Sequence, residues 1–330
     1  MPLQRFHAIL KGQDRPAYLH AKELRLNIDI SPETPTEELW AVHDTTLSGS
    51  TEYLNEKGPT SLLDLKLELA WRLLESCTLC ENRCKVNRLS GERGFCGVDE
   101  TRVDTVFLHF GEEPPIVPSL TVFFTGCSFK CVFCQNHSIS QHPHKGRKIH
   151  PEEMAELIAG GGGTNVNWVG GDPGPHLAYI LEVLNNSNTH KPQLWNSNLY
   201  QSPEAMKLLQ GVVDVFLSDF KYGNGACASR LSKVDNYWEV TTRNHLLGQE
   251  EVFVGENKVK ADFIIRHLVL PNHYLCCSVP VINWLKENME DPYINVMAQY
   301  HPQYKAHEHE DIGGRVDMLE FRRLERLARG

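Results

Sequence analysis

Three cysteines fall within eight positions in TVFFTGCSFKCVFCQNHSIS, residues 121–140, where an apolar run ends at Thr125-Gly126 and a polar loop begins. Cys127-x3-Cys131-x2-Cys134 puts three soft thiolate ligands on one tight loop, a spacing suited to three irons of a cubane iron-sulfur cluster. The fourth iron would then lack a protein ligand, and an open iron can bind a small molecule and pass it an electron. The same thiols would make a zinc knuckle if a fourth ligand such as His137 joined them.

A second set, Cys77-x2-Cys80-x3-Cys84-x11-Cys96, supplies four thiols, with Gly91, Gly94 and Gly97 allowing sharp turns around them. Four thiolates saturate a tetrahedral zinc or an auxiliary cluster, and spacing does not separate the two. A saturated site of this kind is structural or carries electrons, and it offers no open position. Seven of the ten cysteines lie between Cys77 and Cys134. Cys227 and the adjacent pair Cys276-Cys277 are read as buried small side chains, since adjacent thiols do not easily form a relaxed disulfide.

The segments that must position these thiols follow a pattern. From Thr121 onward short apolar runs alternate with helix-length amphipathic segments, the mark of parallel βα units. Strands are expected near 121–125, 166–169, 193–196, 213–219, 263–270 and 294–299, with helices near 151–160, 174–186, 203–210, 228–246 and 276–290. Six strands in series with right-handed crossovers make either an open sheet or a curved partial barrel. Segment 247–262 reads as an insertion or a hairpin. Upstream, residues 61–76 have leucines at mostly helical spacing behind Ser61 as a cap, and residues 1–60 read as a layer wrapped on something else.

Composition bounds the function. The chain has 330 residues, 41% hydrophobic and 23% charged, with a formal charge of -9. No overall basic field favours nucleic acid or an anionic membrane surface, so neither is expected as a partner. No stretch approaches the roughly 20 apolar residues of a membrane span, and the start lacks a secretory apolar region. A cytoplasmic location is therefore expected, where clustered cysteines stay reduced and call for metal or catalysis before disulfides.

The three-cysteine motif, with aromatic Phe133 just before its last cysteine and a strand before its first, resembles the signature of the radical S-adenosylmethionine (SAM) superfamily. That resemblance implies a partial (βα)6 TIM-like barrel over residues 115–303. Cys127, Cys131 and Cys134 would hold a 4Fe-4S cluster whose open iron is chelated by the amino and carboxylate groups of SAM. An electron from the cluster would cleave SAM to methionine and a 5′-deoxyadenosyl radical, which abstracts hydrogen from the substrate. A low-potential electron donor of the flavodoxin or ferredoxin kind is implied as a partner.

Gln135-Asn136 and the later segments narrow the likeness to the branch of pyruvate formate-lyase activating enzyme. Gly170-Gly171-Asp172-Pro173 resembles the family's GGEP motif, which binds the SAM amino group, with Asp172 in place of Glu. By itself such a tetrapeptide also suits any βα turn. Ser197 and Asn198, at the next strand end, could hydrogen-bond the cosubstrate. Asp219 and Lys221 resemble the branch's Asp-x-Lys motif near SAM and are the candidate catalytic pair, with a salt bridge capping the barrel as the plainer reading. Arg266, placed to pair with the SAM carboxylate, and Gln299 are the candidates on the last two strands.

The branch implies a protein or peptide substrate, and a small metabolite is the alternative. A non-catalytic zinc or iron-sulfur module is the reading from a different class. Relatives in the branch have cysteine-rich leaders and the activating-enzyme prototype does not, so the prototype's own substrate is not carried over to this chain. The expected organisation is a wrapping segment with a helix (1–76), a metal-binding leader (77–100), the barrel (115–303) and a charged tail with a helix (304–330). His267 is read as structural, and His301, His307 and His309 as part of a solvated connector. His142, His144 and His150 are read as polar loop residues.

Overall fold

Residues 2–329 are described in the computed structural model, beginning with a helical layer. It comprises α1 (Gln4–Leu10), α2 (Ala17–Glu23), β1 (Arg25–Leu26), α3 (Thr36–Leu47) and β2 (Thr60–Ser61), with β1 and β2 paired antiparallel. The capped helix expected over 61–76 is α4 (Leu62–Glu75). Ser61 Oγ accepts from Asp64 N and the Asp64 carboxylate accepts from Ser61 N, while Leu62, Leu63, Leu65, Leu69 and Leu74 are buried.

One seven-stranded sheet follows. Its edge strand β3 (Val103–His109) runs antiparallel to β4 (Ser119–Phe124). Next to β4 come β5 (Asn165–Gly170), β6 (Gln193–Ser197) and β7 (Val215–Asp219), all parallel. A hairpin, β8 (Val252–Val254) and β9 (Asn257–Val259), stands apart, and β10 (Asp262–Leu268) and β11 (Tyr293–Met297) complete the parallel set. The six parallel strands are those expected from the apolar runs. The sheet order β11-β10-β7-β6-β5-β4-β3 leaves β3 and β11 as edges.

The connections are the single turn α5 (His137–Ser140), α6 (Pro151–Gly160), α7 (Leu177–Asn186), α8 (Pro203–Leu209), α9 (Gly225–Ser232), α10 (Tyr237–Gln249) and α11 (Val279–Asn288). The charged tail ends in α12 (Met318–Arg329). Among the described residues no helix is long and apolar enough to cross a membrane.

Three local expectations change. The single helix foreseen over 228–246 is two, because Lys233 and Asn236 take left-handed backbone angles of 59° and 50° that interrupt the helical ladder. The helix foreseen from 276 begins with a wider π turn over Tyr274–Ser278. Strand β3 was not foreseen, since its outer residues Phe107 and Leu108 are exposed apolar groups that blur the period-two signal.

The sheet curls rather than lying open. Glu113, just ahead of β4, accepts from Arg266 Nε on β10 at 2.8 Å and from Asn295 Nδ2 on β11 at 2.8 Å. Those contacts bring the two sides of the sheet together, giving a partial barrel. Its amino end is filled by the chain's own start: Leu3 and Phe6 pack with Ile116, Leu194, Val215, Leu217 and Ile264. Phe6 N also donates to the Asp262 carboxylate at 2.7 Å, and Arg5 Nε to Asp214 at 2.9 Å. Part of the segment expected only to wrap is therefore a plug.

Candidate functional site at the carboxyl ends of the strands

The cysteine loop leaves β4 at the opposite end from that plug. Cys127 and Cys131 are buried and Cys134 is half-buried. Each sulfur has a polar neighbour: Phe129 N donates to Cys127 Sγ at 3.3 Å, Ser232 Oγ lies 2.9 Å from Cys131 Sγ, and Ser140 Oγ lies 3.2 Å from Cys134 Sγ. Lys130 N and Val132 N donate to the carbonyls of Ser232 and Leu231, so the end of α9 braces the loop. The ring of His137 stacks on Tyr304 with centroids 4.9 Å apart.

Burial pushes the Cys127 thiol well up, with the Asp172 carboxylate and neighbouring thiols adding to it. Burial and Cys134 push the Cys131 thiol up to about 12, against the opposing pull of Lys221. Three sulfurs, two of them buried, beside a carboxylate thus have little positive charge of their own, and a cationic iron-sulfur centre would supply it. The donor set fits such a group, with hydroxyl and amide donors placed to tune the sulfurs.

The Gly170-Gly171 pair lets strand β5 pass close to that loop. Gly170 has φ 123°, and a Cβ there would lie 2.2 Å from the Phe124 backbone; one on Gly171 would lie 1.9 Å from the Gly126 carbonyl oxygen. The next residue, Asp172, is buried and accepts from Ser197 Oγ at 2.9 Å and Ser128 Oγ at 3.2 Å. Burial pushes its carboxyl up to about 6, although Ser197, Asn198 and Ser128 all donate to it and pull the other way. Asn198 Nδ2 donates to Ser128 Oγ at 3.0 Å and points toward Cys127 Sγ at 3.9 Å. Gly170, Gly171, Asp172, Ser197 and Asn198 therefore meet beside the cysteine loop.

Asp219 and Lys221 alternate with Phe220 and face the same cavity, with Lys221 Nζ 2.5 Å from Asp219 Oδ2. Burial opposes the Lys221 charge, but Asp219 and Cys131 more than restore it, so the ammonium is held above its ordinary range. Arg266 also lines the cavity, yet its guanidinium is engaged by Glu112 and by Glu113, the latter at 2.6 Å. A SAM carboxylate, the partner expected for Arg266, would meet this guanidinium beside the two glutamates. Gln299 is exposed at the rim.

Cys127, Cys131, Cys134, Gly170, Gly171, Asp172, Ser197, Asn198, Asp219, Lys221, Arg266 and Gln299 line one cavity of about 560 Å³, together with Glu112, Glu113, Asn196 and Asn295. Glu112, Glu113, Ser128, Ser140, Ser232 and Asn295 were not singled out from the sequence. An acidic pair followed by Pro114-Pro115, directly before the first barrel strand, was the available signal for the two glutamates. The serines gave none, because their meaning depends on which thiol they meet.

The leader lies against the same region. Cys77 and Cys96 are buried, Cys80 and Cys84 half-buried. Burial and the charges of Cys96, Cys77 and Cys84 push the Cys80 thiol up. Phe95 N donates to Cys84 Sγ at 3.2 Å, and Asn82 Nδ2 reaches Ser128 O in the cysteine loop at 2.8 Å. Elsewhere His267 is buried and satisfied, with Nδ1 2.7 Å from Phe220 O and Nε2 2.8 Å from Ser278 Oγ. The reading of Cys227, Cys276 and Cys277 as buried side chains is corrected: Cys277 is buried, but Cys276 is exposed and Cys227 only half-buried.

Residues 121–241 match the model of the radical SAM superfamily. A Methanocaldococcus jannaschii protein described as uncharacterized protein MJ0674 is 42% identical over 345 residues, covering 99% of this chain and 97% of the relative. The crystal structure of Streptococcus suis SuiB aligns with a TM-score of 0.43 at 13% identity, over 62% of this chain and 43% of SuiB. SuiB bound to S-adenosylmethionine aligns at 0.42 and 15% identity, over 61% of this chain and 44% of SuiB. The chain thus spans under half of the SuiB length. It belongs to the radical SAM superfamily and is a radical SAM enzyme, a class that requires a reductant and whose cofactors are a 4Fe-4S cluster and SAM.

Proposed function

We propose that this enzyme cleaves SAM in the 560 Å³ cavity and directs hydrogen abstraction at a carbon of a protein or peptide, as the activating-enzyme branch does. In this reading Cys127, Cys131 and Cys134 hold the 4Fe-4S cluster, which supplies the electron for SAM cleavage. Asp172, oriented by Ser197 and Ser128, accepts hydrogen bonds from the SAM ammonium. Asn198 holds Ser128 in place, and the backbone at Gly170 and Gly171 lets the cosubstrate approach. Lys221, kept cationic by Asp219, offers its charge to the ligand's anionic groups. Arg266 does the same where a carboxylate displaces Glu112, and Gln299 contributes a polar contact at the rim.

One observation carries the substrate class. A small-metabolite enzyme would use its N-terminal segment to close the cavity, whereas Leu3 and Phe6 fill the opposite end of the barrel. In this reading the carboxyl end admits a polypeptide segment. The leader cysteines are assigned to a second metal site, zinc or an auxiliary iron-sulfur cluster.

The test is anaerobic reconstitution with iron and sulfide, reduction by a flavodoxin or ferredoxin in the presence of SAM, and assay of 5′-deoxyadenosine. Cell extract labelled with deuterium then identifies the molecule that gives the label to deoxyadenosine. Label leaving a polypeptide supports the substrate class, and label leaving a small metabolite overturns it. Absence of deoxyadenosine overturns the cavity assignment.

A further inference from the structure

Away from the cavity, the sulfurs of Cys227 and Cys276 and a ring nitrogen of His273 all lie within 4.8 Å of one another. They form the one such threesome of cysteine, histidine and carboxylate atoms among the described residues. Cys277 Sγ is 3.9 Å from Cys276 Sγ, close to the roughly 3.8 Å edge of a tetrahedron built on metal-sulfur bonds of about 2.3 Å. The other cysteine groups are more widely spaced; this one has the dimensions of a single ion.

The surroundings are arranged for that ion. His273 donates Nδ1–H to Pro271 O at 2.7 Å, which fixes the tautomer and leaves Nε2 with a lone pair. Metal-binding histidines use this arrangement. The present neighbours of Nε2 are Arg230 at 3.3 Å and Asp311 at 3.4 Å, and Arg230 already has Asp311 as its own partner. A Cβ on Gly223 would lie 2.8 Å from the carbonyl oxygens of both Cys276 and Cys277, so that backbone is packed tightly under the thiols. Asn224, which caps α9, donates Nδ2 to Cys276 O at 2.8 Å and faces Cys277 Sγ at 3.9 Å. Cys276 and Cys277 sit in the π turn before α11, a distortion that recurs at functional sites.

We infer that Cys227, Cys276 and His273, with Cys277 as fourth ligand, form a site for one thiophilic divalent ion of the zinc type, separate from both cysteine clusters. Binding exchanges thiol protons for metal-sulfur bonds and releases those protons to water, with no change of oxidation state. The ion would join the start of α9 to the entry of α11. The far end of α9 carries Ser232, which touches Cys131, so this joint also steadies the brace behind the cysteine loop.

The probe is Co²⁺, titrated anaerobically into protein already reconstituted with iron and sulfide. Wild type is expected to bind one equivalent with thiolate-to-cobalt charge-transfer absorption. Cys276→Ser, at an exposed position that leaves the core intact, should weaken binding at least tenfold, as should His273→Ala, while Cys80→Ser retains the band. Absence of the band in wild type overturns the inference. So does its persistence in Cys276→Ser, its loss in Cys80→Ser alone, or a Cys227–Cys276 disulfide in the anaerobic protein.

Discussion

Two buried aspartates, one toward each end of the barrel, are partnered in different ways. At the plugged amino end, the Asp214 carboxylate accepts from Arg5 Nε at 2.9 Å, Ala17 N at 2.9 Å and Gln193 N at 2.8 Å. An apolar plug packs beside it, and an arginine balances its charge. At the carboxyl end, Asp172 is equally enclosed, but its donors are hydroxyls and an amide. Burial raises both carboxyls, that of Asp172 up to about 6. A buried carboxylate without a contacting cation is costly unless a ligand brings one. One end is built for stability, and the other withholds a partner that a cationic ligand can provide.

That contrast is tested most severely at the cysteine loop. Cys131→Ser removes one of three sulfur donors, and cluster iron at the loop and deoxyadenosine formation should fall below detection in an anaerobic assay. Cys80→Ser should keep loop iron and some SAM cleavage. Equal loss of loop iron in both variants would merge two sites that are treated as distinct.

Phe6→Ala should act at the other end only. Removing a fully buried ring from a filled core costs about 3–5 kcal/mol, read as a lower denaturation midpoint. SAM affinity of the folded variant should not change. A large loss of affinity would mean that the plug shapes the cavity.

Asp172→Asn should do the reverse. A hydrogen bond to a charged group contributes about 1.5–3 kcal/mol, so the SAM dissociation constant should rise roughly 10–100-fold by calorimetry. The denaturation midpoint should fall little or even rise, because a buried charge without a cation is removed. A marked drop would show that Asp172 is structural, like Asp214.

The smallest effect belongs to neither end. His245 lies on α10 and faces β7, with Nε2 2.8 Å from Ser218 Oγ and Nδ1 2.8 Å from Thr241 O, and burial lowers it to about 4. The unfolded chain takes up this proton near pH 6.5, while the folded chain resists until about pH 4. Lowering pH through that window therefore favours unfolding. His245→Gln should flatten the fall in stability by up to about 1.4 kcal/mol per pH unit, and an unchanged slope would remove this residue from the account.

The parallel strands were legible because each is a short apolar run bounded by turns, a signal carried by neighbours along the chain. The helix at 62–75 was legible for the same reason, through Ser61 and its leucine stripe. The left-handed Lys233 and Asn236 were not, because packing holds two non-glycine residues in an angle that local preference disfavours.

The chain's linear order settled the number and spacing of the thiols in both cysteine groups, the glycines before Asp172 and the Asp219-Phe220-Lys221 alternation. These features depend on residues a few positions apart. Folding settled what depends on distant partners: Arg266 between Glu112 and Glu113, Ser232 beneath Cys131, and Phe6 in the barrel's amino end. It also brought Cys227 to Cys276 and His273, across some fifty positions. No local pattern encodes such meetings, because they arise only when separate βα units close around a shared interior.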